Sequence, residues 1–234
     1  MAIPPLAMIV EARARLAGRV HLTPVLSSRA IAERAGVASC LLKCESLQKT
    51  GSFKVRGALN AVSQLDAAAR RRGVVTFSAG NHAQALAWAA ASIGVRCTVV
   101  MPATASESKA VASAGYGADV IRHGTGAEAF DRADQLAKEH GFTFVHPFDQ
   151  AEVVTGAATL GAEILDQVPD VEVVVVPIGG GGLLAGIAAA ERQSRPQVRI
   201  VGVEPVGAAS MRRSLDAGHP VRLDTVNTIA DGLG

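Results

Sequence analysis

One lysine of this chain stands in a setting that could give it chemistry. Lys54 follows a small polar turn, Thr50–Ser52, and the aromatic Phe53, and apolar residues recur after it at helical spacing. The lysine is therefore predicted to lie near a helix start that faces a core. A partly dry site lets an amine lose its proton more easily, and the neutral amine can form an imine with an aldehyde. The alternative is a solvated lysine beside a turn, the usual place for a lysine.

Two later turns could bind an anion. The first is Ser78-Ala79-Gly80-Asn81-His82, and the second is Gly179-Gly180-Gly181-Gly182-Leu183. Each follows an apolar run and precedes a helical pattern, and such a turn can point several backbone N–H groups at an anion. The glycine run lacks the Lys-Ser/Thr pair of a nucleotide-binding loop. A lysine together with two such turns is what a phosphorylated aldehyde cofactor requires.

These stretches together resemble a known family, the fold-type II pyridoxal-phosphate enzymes of the threonine/serine dehydratase and serine racemase branch. The markers are Ser-Phe-Lys-Val-Arg-Gly-Ala at 52–58, Ser-Ala-Gly-Asn-His-Ala-Gln at 78–84 and Gly-Gly-Gly-Gly-Leu-Leu-Ala-Gly at 179–186. They occur in the family's order and at similar spacing. The resemblance runs from about Thr23 to Gly234, nearly the whole chain.

The resemblance implies a two-lobed α/β fold like that of the tryptophan synthase β chain, with parallel sheets flanked by helices. Residues 47–148 are expected to form the small lobe, and residues 1–46 plus 149–234 the large cofactor-binding lobe. The chain is C-terminally short of the family's usual length, and the residue that would contact the pyridine nitrogen is expected beyond Gly234.

The resemblance also assigns roles around the cofactor, pyridoxal 5'-phosphate. It implies that Lys54 carries the cofactor as a Schiff base and is later freed to act as a base. Gly179–Gly182 and Leu183 would hold the phosphate, Phe53 would pack near the ring, and Asn81 would bind the ring hydroxyl oxygen.

By the same resemblance, the first anion-binding turn would face the substrate. The backbone and the hydroxyl of Ser78 to Asn81 would receive the substrate carboxylate. His82 is either a catalytic residue or a histidine buried behind the turn.

Ala79 is the residue that distinguishes between reactions. In racemase-type members this position is a serine that can protonate the second face of the carbanion, and alanine has no exchangeable proton. β-Elimination needs only one base, so the sequence favours dehydration of L-threonine or L-serine to a 2-oxo acid and ammonia. The alternatives are a truncated, catalytically impaired homologue that acts only by associating with other chains, and an amino-acid racemase.

No metal site is predicted. Glu204 and Ala208 match part of a divalent-cation site in some relatives, but Ser210 stands where a second acidic group would be expected. A single carboxylate is a poor site for Mg²⁺ or Ca²⁺. Glu204 is therefore interpreted as a structural residue at a strand end.

Composition limits the partners. The 234 residues are 49% hydrophobic and only 3% aromatic, with a net charge of +2. Small aliphatic residues suit helices packed closely on a parallel sheet, and the weak charge argues against nucleic acid as a partner. No apolar span is long enough for a membrane helix. We expect a cytoplasmic homo-oligomer, a dimer or tetramer, that acts on a small hydroxy-amino acid.

The periodicity predicts alternating strands and helices and therefore parallel pairing. One helix is expected over residues 57–72, and Thr104 and Glu107 have the spacing of a capping box before a helix over residues 105–114. The valine-rich run at 172–177 is expected to be a buried strand.

Overall fold

The computed structural model describes residues 3–233, so the first two residues and Gly234, which belong to the predicted large lobe, lie outside it. Within that range the α-helices are α1 (Leu6–Leu16), α2 (Arg29–Ala35), α3 (Lys54–Ser63), α4 (Ala67–Arg72), α5 (Asn81–Ala91), α6 (Glu107–Gly115), α7 (Gly126–His140), α8 (Ala151–Gln167), α9 (Gly182–Ser194) and α10 (Ser210–Ala217). The strands are β1 (Val25–Ser27), β2 (Leu41–Lys43), β3 (Val74–Phe77), β4 (Cys97–Met101), β5 (Ala118–Arg122), β6 (Thr143–Phe144), β7 (Val173–Pro177) and β8 (Arg199–Val203). Short 3₁₀ turns lie at Glu45–Leu47, Lys49–Gly51, Val206–Ala208 and Asp231–Leu233.

A four-stranded sheet in the order β5-β4-β3-β6 is parallel throughout, as the alternation predicted. Its two faces follow the alternation of side chains along each strand. Val74 and Val99 pack with α3 and α5 on one face. Val75 and Val100 pack with α7 on the other. The sheet is therefore covered by helices on both sides.

The second parallel sheet is the pair β7–β8, covered on one face by α8 and α9. Here the expectation of a buried strand is wrong for alternate residues, because Val175 is 63% exposed while Val174 and Val176 are buried. One helical layer covers one face of the pair, and the valines of the other face meet no such layer within residues 3–233. The pair β1–β2 is antiparallel, which the alternation did not predict.

The predicted helix over 57–72 is two helices, and the first begins three residues earlier, at Lys54. The break lies at Gln64–Asp66. The Asp66 side chain accepts a hydrogen bond of 2.7 Å from the N–H of Ala69 and so starts α4. Because the apolar spacing continues across the break, periodicity alone concealed it.

The capping box expected at Thr104 and Glu107 is also absent from the described residues, since α6 begins after Ser106 without a side-chain cap. A capping box forms instead at Thr125 and Glu128, at the start of α7.

Helix α8 lies between α3 and α9 and touches both at glycines. A Cβ added at Gly156 would stand 2.6 Å from the Cα of Gly57 on α3, and it would also collide with the carbonyl oxygen of Arg56. A Cβ added at Gly186 on α9 would stand 2.7 Å from the backbone nitrogen of Ala158. The three helices are thus packed backbone against backbone, as the small-residue composition suggested.

The division into lobes at residues 47 and 149 stays a prediction. No helix in the described part of the chain is both long and apolar enough to span a membrane.

Candidate active site

Lys54 is the first residue of α3, and its side chain is largely buried. Its Nζ donates a hydrogen bond of 2.8 Å to the carbonyl oxygen of Pro147 and lies 5.2 Å from the centre of the Phe53 ring. Burial lowers the pKa of Lys54 from 10.5 to about 8, because the charged form loses hydration. With that pKa the amine is neutral in about a tenth of the molecules at pH 7 and in about half at pH 8.

The turn before Lys54 is strained and incompletely satisfied. Thr50 has a φ of 57°, and it is the only non-glycine residue with positive φ in the described range. The hydroxyl oxygens of Thr50 and Ser52 are buried without a hydrogen-bond partner there. Strain and unpaired polar atoms of this kind occur at functional sites more than elsewhere.

The glycine loop presents a row of free donors. In the described structure, none of the backbone N–H groups from Gly179 to Leu184 donates to a protein acceptor. The first hydrogen bond of helix α9 comes from the N–H of Ala185, which donates to the carbonyl oxygen of Gly181 at 2.9 Å. Gly181 takes a φ of 83°, which favours glycine. Free N–H groups at a helix start attract an anion. The loop could therefore bind a phosphate.

A side chain at Gly180 or Gly182 would collide with Phe148. A Cβ at Gly182 would stand 2.6 Å from the carbonyl oxygen of Phe148, and a Cβ at Gly180 would collide with the Phe148 ring. Phe148 thus packs directly on the glycines. The two positions are glycine because a neighbouring residue leaves no room for anything larger.

The turn from β3 to α5 contains the other predicted residues. Gly80 N–H donates to Ser78 Oγ at 3.2 Å, while the N–H groups of Ala79, Asn81 and His82 donate to no protein acceptor in residues 3–233. The Asn81 side chain is exposed and likewise has no protein partner there. The turn can therefore offer both backbone and amide donors to a ligand.

The side chain of His82 is buried and cannot contact a ligand in this turn. Its ring is 2% exposed, and Nε2 lies 3.2 Å from the carbonyl oxygen of Val145, to which it donates. Burial, with a smaller contribution from the charge of Lys54, lowers the pKa of His82 to about 3. The imidazole is therefore neutral at physiological pH, and only the backbone N–H of His82 is available to a ligand.

Sequence reasoning missed the segment that completes the site, His146–Phe148. Pro147 accepts the hydrogen bond from Lys54, and His146 Nδ1 accepts from the N–H groups of Phe148 and Asp149, the latter at 2.9 Å. Burial lowers the pKa of His146, although Asp149 acts in the opposite direction. The sequence His-Pro-Phe-Asp interrupts the strand–helix alternation, which was the available indication.

The structure brings some predicted residues together and leaves others apart. One narrow cleft is lined by Phe53, Lys54, Gly57, Pro147, Phe148, Val153, Ala157, Gly182 and Leu183. Lys54 and the glycine loop therefore share a cleft. Residues Ser78–Asn81 do not line it and lie on the neighbouring turn, close enough for Lys54 to affect the pKa of His82.

These features fit a phosphorylated aldehyde. The free N–H groups at Gly179–Leu184 match a phosphate, Lys54 provides an amine with a lowered pKa, and the free Asn81 amide can donate to a ring oxygen. The aldehyde can condense with the amine, and the phosphate dianion can accept hydrogen bonds from the row of backbone N–H groups.

The Glu204 side chain is held by backbone donors. Its carboxylate accepts hydrogen bonds from the N–H groups of Met211, at 2.7 Å, and Arg212, at 2.8 Å. Both groups belong to the first turn of α10, where a negative charge is favoured.

Comparison with known proteins places this geometry in a family. Residues 16–234 match the family model described as "Pyridoxal-phosphate dependent enzyme". The L-threonine ammonia-lyase of Geobacter sulfurreducens is 45% identical over 230 residues, which are 98% of this chain and 57% of that protein. The L-threo-3-hydroxyaspartate ammonia-lyase of Saccharomyces cerevisiae is 42% identical over 233 residues, 99% of this chain and 71% of that protein.

Among solved structures, maize serine racemase superposes with a TM-score of 0.96 at 39% identity. The match covers 99% of this chain and 70% of that one. The chain thus spans between half and three quarters of the length of these relatives.

Proposed function

Because this chain belongs to the family of pyridoxal-phosphate dependent enzymes, we propose that it is an ammonia-lyase that converts L-threonine or L-serine to a 2-oxo acid and ammonia. The relatives named L-threonine ammonia-lyase and L-threo-3-hydroxyaspartate ammonia-lyase support a β-hydroxy-amino acid as substrate. The observation that carries the proposal is the shared cleft, in which a buried amine faces a loop of free backbone donors.

The residues that would hold the cofactor follow from this geometry. The N–H groups of Gly179–Leu184 would bind the phosphate, Lys54 would hold the aldehyde end, and Asn81 would donate to the ring oxygen. Phe53 and Leu183 are apolar residues lining the cleft and would exclude water from the ring. When bound, pyridoxal phosphate supplies an electron sink for the charge that develops at the substrate's α-carbon.

Lys54 is also the proposed base. Once free of the cofactor, its Nζ would take the α-proton, and the pKa of about 8 suits this task because a base works best when its pKa lies near the operating pH. The carbonyl oxygen of Pro147 would accept a hydrogen bond from the resulting ammonium, as it does in the structure. The β-hydroxyl would take up a proton and leave as water, and hydrolysis of the resulting enamine would give the 2-oxo acid and ammonia.

The Ser78–His82 turn would bind the substrate carboxylate through the N–H groups of Ala79, Asn81 and His82, and Ser78 would contribute its hydroxyl. Ala79 has no proton to donate, so one-base elimination fits the turn better than two-base racemisation. Racemisation is the second candidate, because the structure of maize serine racemase superposes so closely.

Product analysis separates these candidates. The purified chain with pyridoxal 5'-phosphate is incubated with L-threonine or L-serine, and 2-oxobutyrate, pyruvate and D-serine are measured, with Lys54→Ala as the control. Lyase activity predicts a 2-oxo acid and ammonia in equal amounts, and little D-serine. D-Serine formed in excess of pyruvate would instead support the racemase.

A visible absorption band that requires Lys54 addresses the remaining alternative, an impaired homologue. A Lys54-dependent band that is unchanged by L-threonine would mean that this chain binds the cofactor without acting on this substrate. Absence of the band would support a chain that acts only by association. The homo-oligomer and the cytoplasmic location are part of the same proposal, and light scattering of the purified chain tests the former.

A further inference from the structure

A buried arginine lies two residues beyond Lys54 on the same helix. Arg56 is 2% exposed, yet it carries a full charge. Its guanidinium binds Glu45 through Nε and Nη2, both at 2.8 Å, and Glu163 through Nη1 at 2.7 Å and Nη2 at 3.1 Å. Every nitrogen of the guanidinium is thus paired, in the forked geometry that Arg alone provides.

A second layer of contacts holds the two carboxylates. Lys43 Nζ donates to Glu163 at 2.5 Å, to Gln167 at 2.6 Å and to the carbonyl oxygen of Thr23 at 2.8 Å. Thr23 Oγ1 donates to Glu45 at 2.6 Å. Burial alone would raise the pKa of Glu163, but the hydrogen bonds from Arg56 and Lys43 outweigh it and lower that pKa. Two cations therefore balance two anions in a closed network.

The network fixes the start of α3 against α8. Arg56 is adjacent to Gly57, where the backbones of α3 and α8 touch at Gly156. Glu163 lies seven residues after Gly156, which is about two turns further along the same face of α8. Helix α3 is thus held to α8 at two points, by the contact between glycines and by the guanidinium.

The same helix α8 holds the phosphate-binding loop. Gly186, one turn into α9, packs against the backbone of Val154 and Ala158. The amine at the start of α3 and the free N–H groups at the start of α9 are therefore positioned by one shared helix. The spacing between the two groups depends on how firmly each outer helix is attached to α8.

We propose that Arg56 is a positioning residue that sets the Lys54 amine at the correct spacing from the phosphate-binding glycine loop. The inference rests on the proposed function only in that Lys54 and the glycine loop receive the same cofactor molecule. It adds that the two are matched through Arg56, Glu45 and Glu163. Arg56 touches neither the cofactor nor the substrate in this role.

The test compares two aldehydes that differ only in the phosphate. Pyridoxal 5'-phosphate and pyridoxal each condense with a neutral amine and release water, but only the first can use the glycine loop. The attachment rate to Lys54 is measured by the visible band, and the site is checked by borohydride reduction and peptide mass. The change in the ratio of the two rates between variant and wild type reports how well the amine and the loop are matched, because the internal hemiacetal of free pyridoxal affects both proteins equally.

Arg56→Lys retains the charge and loses the fork. We expect the rate ratio to fall by about tenfold or more, because misplacement of about 1 Å can cost that much, while the pyridoxal rate stays within about twofold. Glu163→Gln is the second variant in case the first does not fold, and the ratio is expected to fall for it too. A ratio equal to that of the wild type in a folded variant would overturn the proposal.

Matched controls separate positioning from stability. Leu136→Ala removes a buried side chain of α7 that packs with Val75 and Val100 rather than with this network, and it should lower the melting temperature. It should leave the rate ratio unchanged at temperatures well below melting. If Leu136→Ala lowers the rate ratio as much as Arg56→Lys does, the network contributes only to stability and does not position Lys54. The wild type could attach pyridoxal 5'-phosphate at Lys54 in preference to pyridoxal and yet form no 2-oxo acid. That result would refute the proposed function and leave this inference standing. A wild type that does not prefer the phosphate would overturn the inference.

Discussion

The Nζ of Lys54 lies 2.8 Å from the carbonyl oxygen of Pro147, across 93 residues of chain. The bond joins the start of α3 to the segment after β6. Its geometry holds the amine inside the cleft, where burial rather than a nearby cation lowers the pKa. The reaction of this amine with the aldehyde of pyridoxal 5'-phosphate can be measured without knowing the substrate.

The attachment of pyridoxal 5'-phosphate should depend on pH with a midpoint near 8. Only the neutral amine attacks an aldehyde, so the rate rises with pH and levels off above about 8, the pKa given by burial. An exposed lysine would be only about 0.3% neutral at that pH. Stopped-flow absorbance between pH 6 and 10 measures the profile, with Lys54→Ala as the blank. A rate still rising steeply at pH 10 would contradict the lowered pKa.

Gly156→Ala should destabilise the chain by about 2 kcal/mol or more, because overpacking between two backbones forces them apart. The added methyl group would collide with the carbonyl oxygen of Arg56 and stand 2.6 Å from the Cα of Gly57. Urea unfolding of the apo chain provides the measurement. Gly126→Ala is the matched control, since its Cβ would meet nothing within 4 Å. Equal stability of the two variants would refute the close contact between α3 and α8.

Glu191 should make the folded state less stable as pH rises. Its side chain is fully buried, and in residues 3–233 neither carboxylate oxygen has a hydrogen-bond partner. Burial raises its pKa from 4.5 to about 7, although Arg192 acts in the opposite direction. The folded state therefore binds the proton more tightly than the unfolded one, and stability is lost from about pH 4.5 to beyond pH 7.

The test of Glu191 is the difference in unfolding free energy between the wild type and Glu191→Gln across that range. The wild type should lose up to about 3 kcal/mol relative to the variant, the equivalent of the change in pKa. A difference that does not vary with pH would mean that the carboxylate is solvated.

His82 should remain neutral far below the usual range of histidine. Its pKa of about 3 follows first from burial and then from the Lys54 charge. The ring nitrogen resonances should show the Nε2–H tautomer with no titration between pH 8 and about 4, and a His82→Gln variant assigns the signal. Because the folded state resists protonation, this group also reduces stability as pH falls below 6.5. A midpoint near 6.5 would place His82 in solvent instead.

The elements that sequence could predict are those with a local cause. Helix α2, for example, ends at Gly36, whose φ of 66° suits a helix terminus. The glycine loop and the Asn81 turn are equally local, since each lies between one strand and one helix. These features were readable because their determinants lie within a few residues of one another.

What could not be predicted depends on distant residues. Arg56 belongs to a recognisable motif, but its partner Glu163 lies 107 residues away, and a charged residue in a helix pattern is usually exposed. Pro147 contributes only its backbone carbonyl oxygen. Every residue has this group, so the residue type does not reveal the contact. Pairing between remote segments, rather than local preference, decided these positions.

The row of free N–H groups from Gly179 to Leu184 has a different consequence. It is built from the backbone, so replacing Lys54 or any other side chain at a distance does not remove it, and only a bulkier residue in the loop would block it. A descendant that lost its lysine by drift would therefore keep an anion-binding pocket.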